Sequence, residues 1–425
     1  MHIKYIRHTL LFVSFLVLAI TANAQPPAAD TLKLTLKQTE DQFLKNNLRL
    51  IVQRYNIDIA NAGVITAKLF PNPDFSFANG IAASNVNQGP AYKEQSFSLS
   101  QLFTTAGKRN KNIQLARISV EQARYQFFDL LRTLKFTLHS DFYSIYFQQQ
   151  SAKVYNEEIS SLGKTLTVFK EQYQKGNIAQ KEVLRIQSQL YSLQAEYNSL
   201  LAGIDTVQSE LKLLIKVSPQ TILDPQANFD AAKMVSSVPY QQLLDSAYTN
   251  RYDLKYAKSA VDYSDVNLKL QKSTAIPDFS LSLNYDRLGG YGNNFLGAGI
   301  GFSLPFFNRN QGAIKQARIA VDQTKTQLQS QQDQVESDVA TGYKSAMRLE
   351  QVYSTFDPKF KDDFTQLIQE VNLNYQKRNL GMLEFLDFYD SYKTNTLQLN
   401  NLQLSRVLSL EQLNYVTGTP FFNQP

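Results

Sequence analysis

The amino-acid sequence predicts a mainly α-helical protein built from two tandem repeats, each with long coiled-coil-like helices and one β-hairpin. Three observations support this fold class. Short segments recur in the same order at a spacing of about 200 residues, which indicates a duplication. Long stretches without proline carry apolar residues at helical steps of three and four. Between these stretches the period changes to two, as in a strand with one apolar face.

Composition and charge exclude several classes of protein. The 425-residue chain has no Cys, three His and a net charge of +6. It therefore has no disulfide framework and no thiolate zinc site, and the small charge does not indicate a nucleic-acid partner. The sequence has no phosphate-binding glycine loop or nucleophile elbow. We expect no enzyme activity, no cofactor and no resident metal site. The many aromatic residues, 27 Phe and 23 Tyr, are compatible with a membrane interface.

The N-terminal segment predicts export. Residues 1–24 combine two basic residues, an apolar run over 10–20 and the small-residue end Ala22-Asn23-Ala24. This is the pattern of a secretory signal peptide, with cleavage before Gln25. A membrane anchor is the alternative, but about eleven apolar residues are too few to span a bilayer. Since Gln25 is not a cysteine, we expect no N-terminal lipid anchor.

The duplication is visible in four pairs of segments. They are 73–76 with 277–280 (PDFS in both), 114–118 with 315–319 (QLARI and KQARI), 173–177 with 375–379 (YQKGN and YQKRN), and 217–219 with 418–420 (VSP and GTP). The offsets all lie between 201 and 204 residues. We assign the first repeat to residues 30–219 and the second to 240–420. Residues 220–239, which are rich in Pro, Asp and Ser, are the predicted linker.

Each repeat contains a rod-like helix. Residues 108–173 lack proline, and their apolar stripe consists of Leu131, Leu134, Leu138, Phe142 and Ile145. A similar stripe in the second repeat consists of Val335, Val339, Ala346, Leu349, Val352 and Phe356. A helix of about 60 residues is about 90 Å long, which is too long for an ordinary globular core. We therefore expect elongated, coiled-coil-like packing.

The predicted hairpins cover about 74–103 and about 278–304. In the second, Phe279, Leu281, Leu283 and Tyr285 alternate with polar residues, and the strand after the turn alternates apolar residues with glycine and serine. This pattern fits a small hairpin packed on soluble helices, and it fits a membrane β-barrel equally well. Four strands cannot close a barrel, which needs about eight, and a sheet in lipid cannot leave its edges unpaired. Membrane placement therefore requires several chains, and a trimer would supply twelve strands.

These features resemble the TolC-type outer-membrane efflux factors over nearly the whole mature chain. Residues 304–312 (LPFFNRNQG) and 107–109 (GKR) are similar to the heavy-metal-efflux, CzcC/CusC-like branch. The resemblance implies a homotrimer with a twelve-stranded outer-membrane barrel and a helical tunnel across the periplasm. It implies a passive exit duct that works with a periplasmic adaptor and an inner-membrane RND pump. The basic Lys108, Arg109 and Arg309 at strand ends are either lipid-headgroup contacts or solvated charges at helix starts.

The resemblance also implies the site residues. The breaks between long helices would form the periplasmic tips, with Gly176, Asn177, Asn379 and Gly381 contacting the adaptor. Glu384 and Asp387 match acidic positions at the family's tunnel constriction, and Tyr375 matches a tyrosine that ties the closed tip. The first repeat has Glu182, but Arg185 stands where Asp387 would be, and Leu380 replaces a family arginine. We assign Arg378 as a possible ion-pair partner of Glu182 or Glu384. Because an isolated Glu/Asp pair usually marks only a solvated helix face, this second interpretation stays open.

The expected function is thus an outer-membrane duct for efflux, with heavy-metal cations as the favoured cargo. A duct for drugs or organic compounds is the first alternative. A different class, an exported coiled-coil scaffold or adhesin, would share the signal peptide and the rods but form no pore.

Overall fold

The computed structural model describes residues 30–80, 95–227, 234–287, 292–357, 359–377 and 379–422. The predicted signal peptide lies outside this range. Most of the described residues are helical, and none of the helices among them is both long and apolar enough to cross a bilayer.

The first repeat opens with strand β1 (Thr31–Thr35) and helices α1 (Leu36–Asn46) and α2 (Leu48–Lys68). Strands β2 (Asp74–Asn79) and β3 (Gln95–Phe103) follow. Helix α3 (Lys108–Gln174) has 67 residues, so it is about 100 Å long. A short turn separates it from α4 (Gln180–Ile215).

The second repeat has a similar order, with α5 (Tyr240–Asn250), α6 (Tyr252–Thr274), β5 (Phe279–Arg287) and β6 (Phe295–Phe302). Its rod consists of two helices, α7 (Gln311–Ser354) and α8 (Phe360–Gln376), followed by α9 (Met382–Thr417). The predicted apolar stripe therefore extends past the end of α7, since Phe356 lies in the break. The sequence has Pro358 at this point, and a proline cannot continue a helix because its ring blocks the preceding turn.

Within the predicted linker, residues 220–239, the structure describes 220–227 and 234–239. Strand β4 (Ile222–Gln226) lies here and pairs in parallel with β1, so that Thr31 is opposite Ile222 and Thr35 is opposite Gln226. A short 3₁₀ turn at Val235–Ser237 follows. The backbone amides of Val235 and Ser236 donate to the Glu350 carboxylate at 3.0 and 3.2 Å. Strand β4 is therefore bonded to the first repeat, and the 3₁₀ turn is bonded to the second.

The second sheet joins the two repeats. Its four strands are antiparallel and lie in the order β2-β3-β5-β6. At the centre of the sheet β3 pairs with β5, with Phe103 opposite Phe279 and Gln95 opposite Arg287. Within the described residues, β2 and β6 are therefore the outer strands. Their apolar side chains are exposed, including those of Phe75 and Ile300.

Three apolar clusters hold the helices together. One packs α1, α3 and α4 with β1 and β4, and its centre includes Phe43, Leu138 and Ile145. A second packs α5, α7 and α9 in the other repeat. The third lies near the helix tips and combines residues of α3 and α4 with residues of α8 and α9. The tips of both repeats therefore share one core.

Candidate functional site

A glycine and two backbone hydrogen bonds end the long helix at the α3–α4 turn. Gly176 has φ +74, a left-handed conformation that glycine adopts without strain at a helix end. Its amide donates to the Tyr173 carbonyl at 2.9 Å, and the Asn177 amide donates to the Gln172 carbonyl at 2.9 Å. These bonds satisfy carbonyls that the helix leaves open at its end. Gly176 and Asn177 are both exposed.

The α8–α9 turn repeats this bonding. The Asn379 amide donates to the Asn374 carbonyl at 2.9 Å, which corresponds to the bond of Asn177 in the first repeat. Gly381, with extended backbone, precedes the first residue of α9, and its carbonyl accepts from the Phe385 amide at 2.9 Å. Asn379 and Gly381 are exposed, so each tip presents polar backbone and small side chains. Arg378 lies outside the described residues, and its predicted ion pair stays a prediction.

The predicted acidic residues stand at helix starts. Glu182 is in the first turn of α4, and Glu384 is in the first turn of α9. A carboxylate near a helix N-terminus is stabilised by about 0.3–1 kcal/mol through the helix dipole. This effect gives both residues a structural role, whatever else they do.

Glu384 and Asp387 are exposed. Three residues apart on α9, they lie on one face of the helix. Neither forms an ion pair with any residue that the structure describes. Arg185, at the corresponding position of the first repeat, is exposed as well. The second repeat therefore presents an exposed acidic pair where the first repeat has Glu182 and the exposed Arg185.

Tyr375 is packed into the tip between two rings. Its ring lies 4.0 Å from the Phe385 ring, nearly parallel at 11°, and 5.9 Å from the Phe169 ring. Its hydroxyl is buried and has no hydrogen-bond partner among the described residues. Burial, together with the nearby charge of Glu182, raises the pKa of Tyr375 to about 12. The structure thus brings Tyr375 and Glu182, one from each repeat, into the same environment.

Phe385 is the tip residue that the sequence did not single out. It is fully buried, follows the exposed Glu384 in the sequence and stacks on the Tyr375 ring. It also contacts the ring of Tyr389 at 4.7 Å. Its counterpart in the first repeat, Val183, is buried in the same cluster. The sequence could have pointed to Phe385 through the repeat alone, because Val183 and Phe385 are 202 residues apart and both are apolar.

Above the tips, a cluster of charged residues lies between α3, α4 and α9, with Lys393 and Glu158 buried and Glu196 and Asp390 exposed. The ammonium of Lys393 lies 3.3 Å from Glu196 and 3.3 Å from Asp390. Glu158 is buried beside them, and its Oε1 accepts no hydrogen bond from any described residue. Burial raises the pKa of Glu158 to about 8. The sequence did not predict this cluster, because charged residues along a long helix usually indicate a solvent-exposed face.

A second buried group surrounds His139, the one histidine of the predicted mature chain. Its Nδ1 lies 2.8 Å from the Glu411 carboxylate and its Nε2 lies 2.5 Å from that of Glu40. Lys135 adds a 3.0 Å ion pair to Glu40. Burial opposes a charged imidazole, but the hydrogen bonds to Glu40 and Glu411 outweigh it and raise the pKa of His139. The imidazolium therefore links α1, α3 and α9.

Comparison with known proteins decides the class of the molecule. The family model described as outer membrane efflux protein matches residues 40–215 and 243–419. The chain belongs to the outer membrane efflux protein family. The two matched segments fall one in each repeat and together cover most of the chain.

Among curated proteins, the cobalt-zinc-cadmium resistance protein CzcC of Cupriavidus metallidurans is 21% identical over 294 residues, covering 68% of each chain. The nickel-cobalt-cadmium resistance protein NccC of Alcaligenes xylosoxydans xylosoxydans is 20% identical over 320 residues, covering 73% of this chain and 69% of that one.

Solved structures show the same fold. The Campylobacter jejuni CmeC outer membrane channel superposes with a TM-score of 0.75 at 13% identity, over 92% of this efflux protein and 86% of CmeC. CusC, whose structures describe transmembrane channel formation, gives 0.74 at 15% identity over 93% and 96%. The family resemblance, the mainly helical repeat fold and the outer-membrane location predicted from the sequence are confirmed. The family and its structural neighbours are efflux and channel proteins.

Proposed function

We propose that this efflux protein is the outer-membrane exit duct of a tripartite, RND-type efflux system and works as a homotrimer. The observation that carries the proposal is the family match combined with the open sheet. Each chain supplies four strands whose outer members, β2 and β6, have unpaired edges in the described part of the chain. Lipid does not tolerate such edges. Three copies would close twelve strands into a barrel, a size that membrane barrels adopt.

The helical part of the chain would form the periplasmic tunnel. Helix α3 alone is about 100 Å long, and in the family such rods lead away from the barrel. At the tip, the exposed Gly176, Asn177, Asn379 and Gly381 are the proposed contacts for a periplasmic adaptor. The adaptor would join the duct to an inner-membrane pump. The energy for transport would come from the pump, so the duct itself needs no catalytic group.

Metal cations are the proposed cargo. CzcC and NccC are named as metal resistance proteins. Glu384 and Asp387 are exposed and have no cationic partner among the described residues. In a trimer, three copies of each would make two stacked acidic rings, which attract cations and repel anions. Tyr375, stacked on Phe385, would stabilise helix α9, which carries the two acidic residues.

Two experiments test the proposal. The duct predicts heat-modifiable trimers in the outer-membrane fraction. A strain that lacks the gene should lose tolerance to divalent or monovalent metal ions and keep its tolerance to organic drugs. Loss of drug tolerance alone would move the cargo to organic compounds. A monomer in the soluble periplasmic fraction would instead support the scaffold or adhesin.

A further inference from the structure

One ion pair fastens the two repeats where the sheet meets the helices. The Lys108 ammonium, at the start of α3, lies 2.8 Å from the Asp278 carboxylate, just before β5. It also donates to the Ile276 carbonyl at 2.6 Å. The same Asp278 oxygen accepts from the Thr105 amide at 2.7 Å. Lys108 is buried, so this contact locks the end of β3 onto the beginning of β5.

The duplication gives each partner a counterpart. Asp74 corresponds to Asp278, because both stand in the repeated PDFS segment. Arg309 corresponds to Lys108, since residues 116–118 and 317–319 (ARI in both) align at the same offset of 201. The counterpart pair is therefore again one acid and one base.

The neighbouring residues support this alignment. Arg109 donates through Nε to the Lys68 carbonyl at 3.1 Å, near the end of α2. Asn310, its counterpart, donates to the Gln271 carbonyl at 2.7 Å, near the end of α6. Both side chains thus hold the preceding helix of their own repeat. It follows that Lys108 and Arg309 occupy equivalent places, although Arg309 stands two residues before α7 and Lys108 opens α3.

Within one chain the counterpart pair cannot meet. Asp74 begins β2, and Arg309 follows β6, so the two stand at opposite outer edges of the sheet. Both are exposed, and neither forms an ion pair with a described residue. The exposed Phe75 and Phe302 continue the apolar face of the sheet to these same two edges. A second copy of the chain carries the complementary edge and the complementary charge.

We propose that Arg309 of each copy binds Asp74 of the next copy, which reproduces between chains the Lys108–Asp278 contact within each chain. This inference rests on the proposed trimer and specifies its seam, with β6 of one copy beside β2 of its neighbour. A complete ring would then hold six equivalent acid–base contacts, three within chains and three between them. The planar guanidinium suits the seam, because it can bind a carboxylate through two parallel hydrogen bonds.

Cross-linking tests the seam directly, because the chain has no cysteine of its own. The double variant D74C/R309C is treated in the outer membrane with a short bis-maleimide, whose span exceeds that of a disulfide. We expect covalent dimers and trimers. The matched control K108C/D278C places the same chemistry within one chain and should give only monomers on the denaturing gel. D74C and R309C chains expressed together should give dimers and no trimers.

Charge reversal gives a second readout. D74R or R309D alone should lower the temperature at which the trimer dissociates, and D74R/R309D should restore it. The seam is refuted if amine cross-linking shows a wild-type trimer, yet D74C/R309C gives no species above monomer and the double reversal does not rescue. If the wild-type protein itself forms no trimer, the proposed function fails as well.

Discussion

Phe385 offers the sharpest test of how the tip is built, through the variant Phe385→Ala. The side chain is fully buried, and its ring contacts Tyr375 at 4.0 Å and Tyr389 at 4.7 Å. Truncating a buried phenylalanine to alanine costs about 3–5 kcal/mol, because the transfer energy is lost and a cavity remains. We expect this cost to fall on the tip, whose core is separate from the other two apolar clusters.

Hydrogen exchange in the intact purified protein measures this cost locally. A tip destabilised by about 3 kcal/mol opens more than about 100-fold more often. Amides in α8 and the start of α9 should therefore exchange faster by at least that factor, while α1 and α5 stay unchanged. Leu383→Ala is the matched control, since Leu383 is 63% exposed and surface substitutions stay within about 0.5 kcal/mol. If both variants exchange alike, the packed tip core is refuted.

Three further outcomes are expected. Burial raises the pKa of Glu158 to about 8, so wild-type stability should fall as the pH rises towards and through 8. In thermal melts Glu158→Gln should flatten that fall. The control Glu157→Gln, at an exposed position, should not. The pKa of His139 is raised above its ordinary value by Glu40 and Glu411, so its ion pairs contribute fully below pH 6.5 and are lost as the pH rises through the raised pKa. His139→Gln should therefore cost most melting temperature at pH 6 and progressively less as the pH is raised. A loss that does not change with pH would contradict the charged imidazole. Replacing Glu384 and Asp387 by Ala should raise the resting conductance or reduce cation selectivity, and unchanged values in a conducting trimer would remove the gate assignment.

The regular parts of the fold could be predicted from the sequence because they depend on local periodicity. A stripe such as Leu134, Leu138 and Phe142 requires a helix and a buried face, and all three residues are buried. The alternation around Leu283 similarly requires a strand. By contrast, the parallel pairing of β1 with β4 joins two five-residue strands almost 200 residues apart. Neither has an alternating pattern long enough to be recognised.

The candidate site was only partly accessible from the sequence. The duplication located both helix breaks, and the small residues and the acidic pair predicted there are exposed; their roles as adaptor contacts and constriction stay predictions. The packing behind them was not readable, because the stacking of Tyr375 on Phe385 depends on how α8 returns against α9. The clusters around His139 and Glu158 each form where three helices pack together. The spacing of residues along one helix does not predict which helices pack against it.

Ion conductance of the purified protein in a planar bilayer tests the central claim most directly. We expect that trimers extracted from the outer membrane insert and conduct, and that a salt gradient gives a reversal potential favouring cations. Absence of conductance, together with protein recovered as a soluble periplasmic monomer, would contradict it.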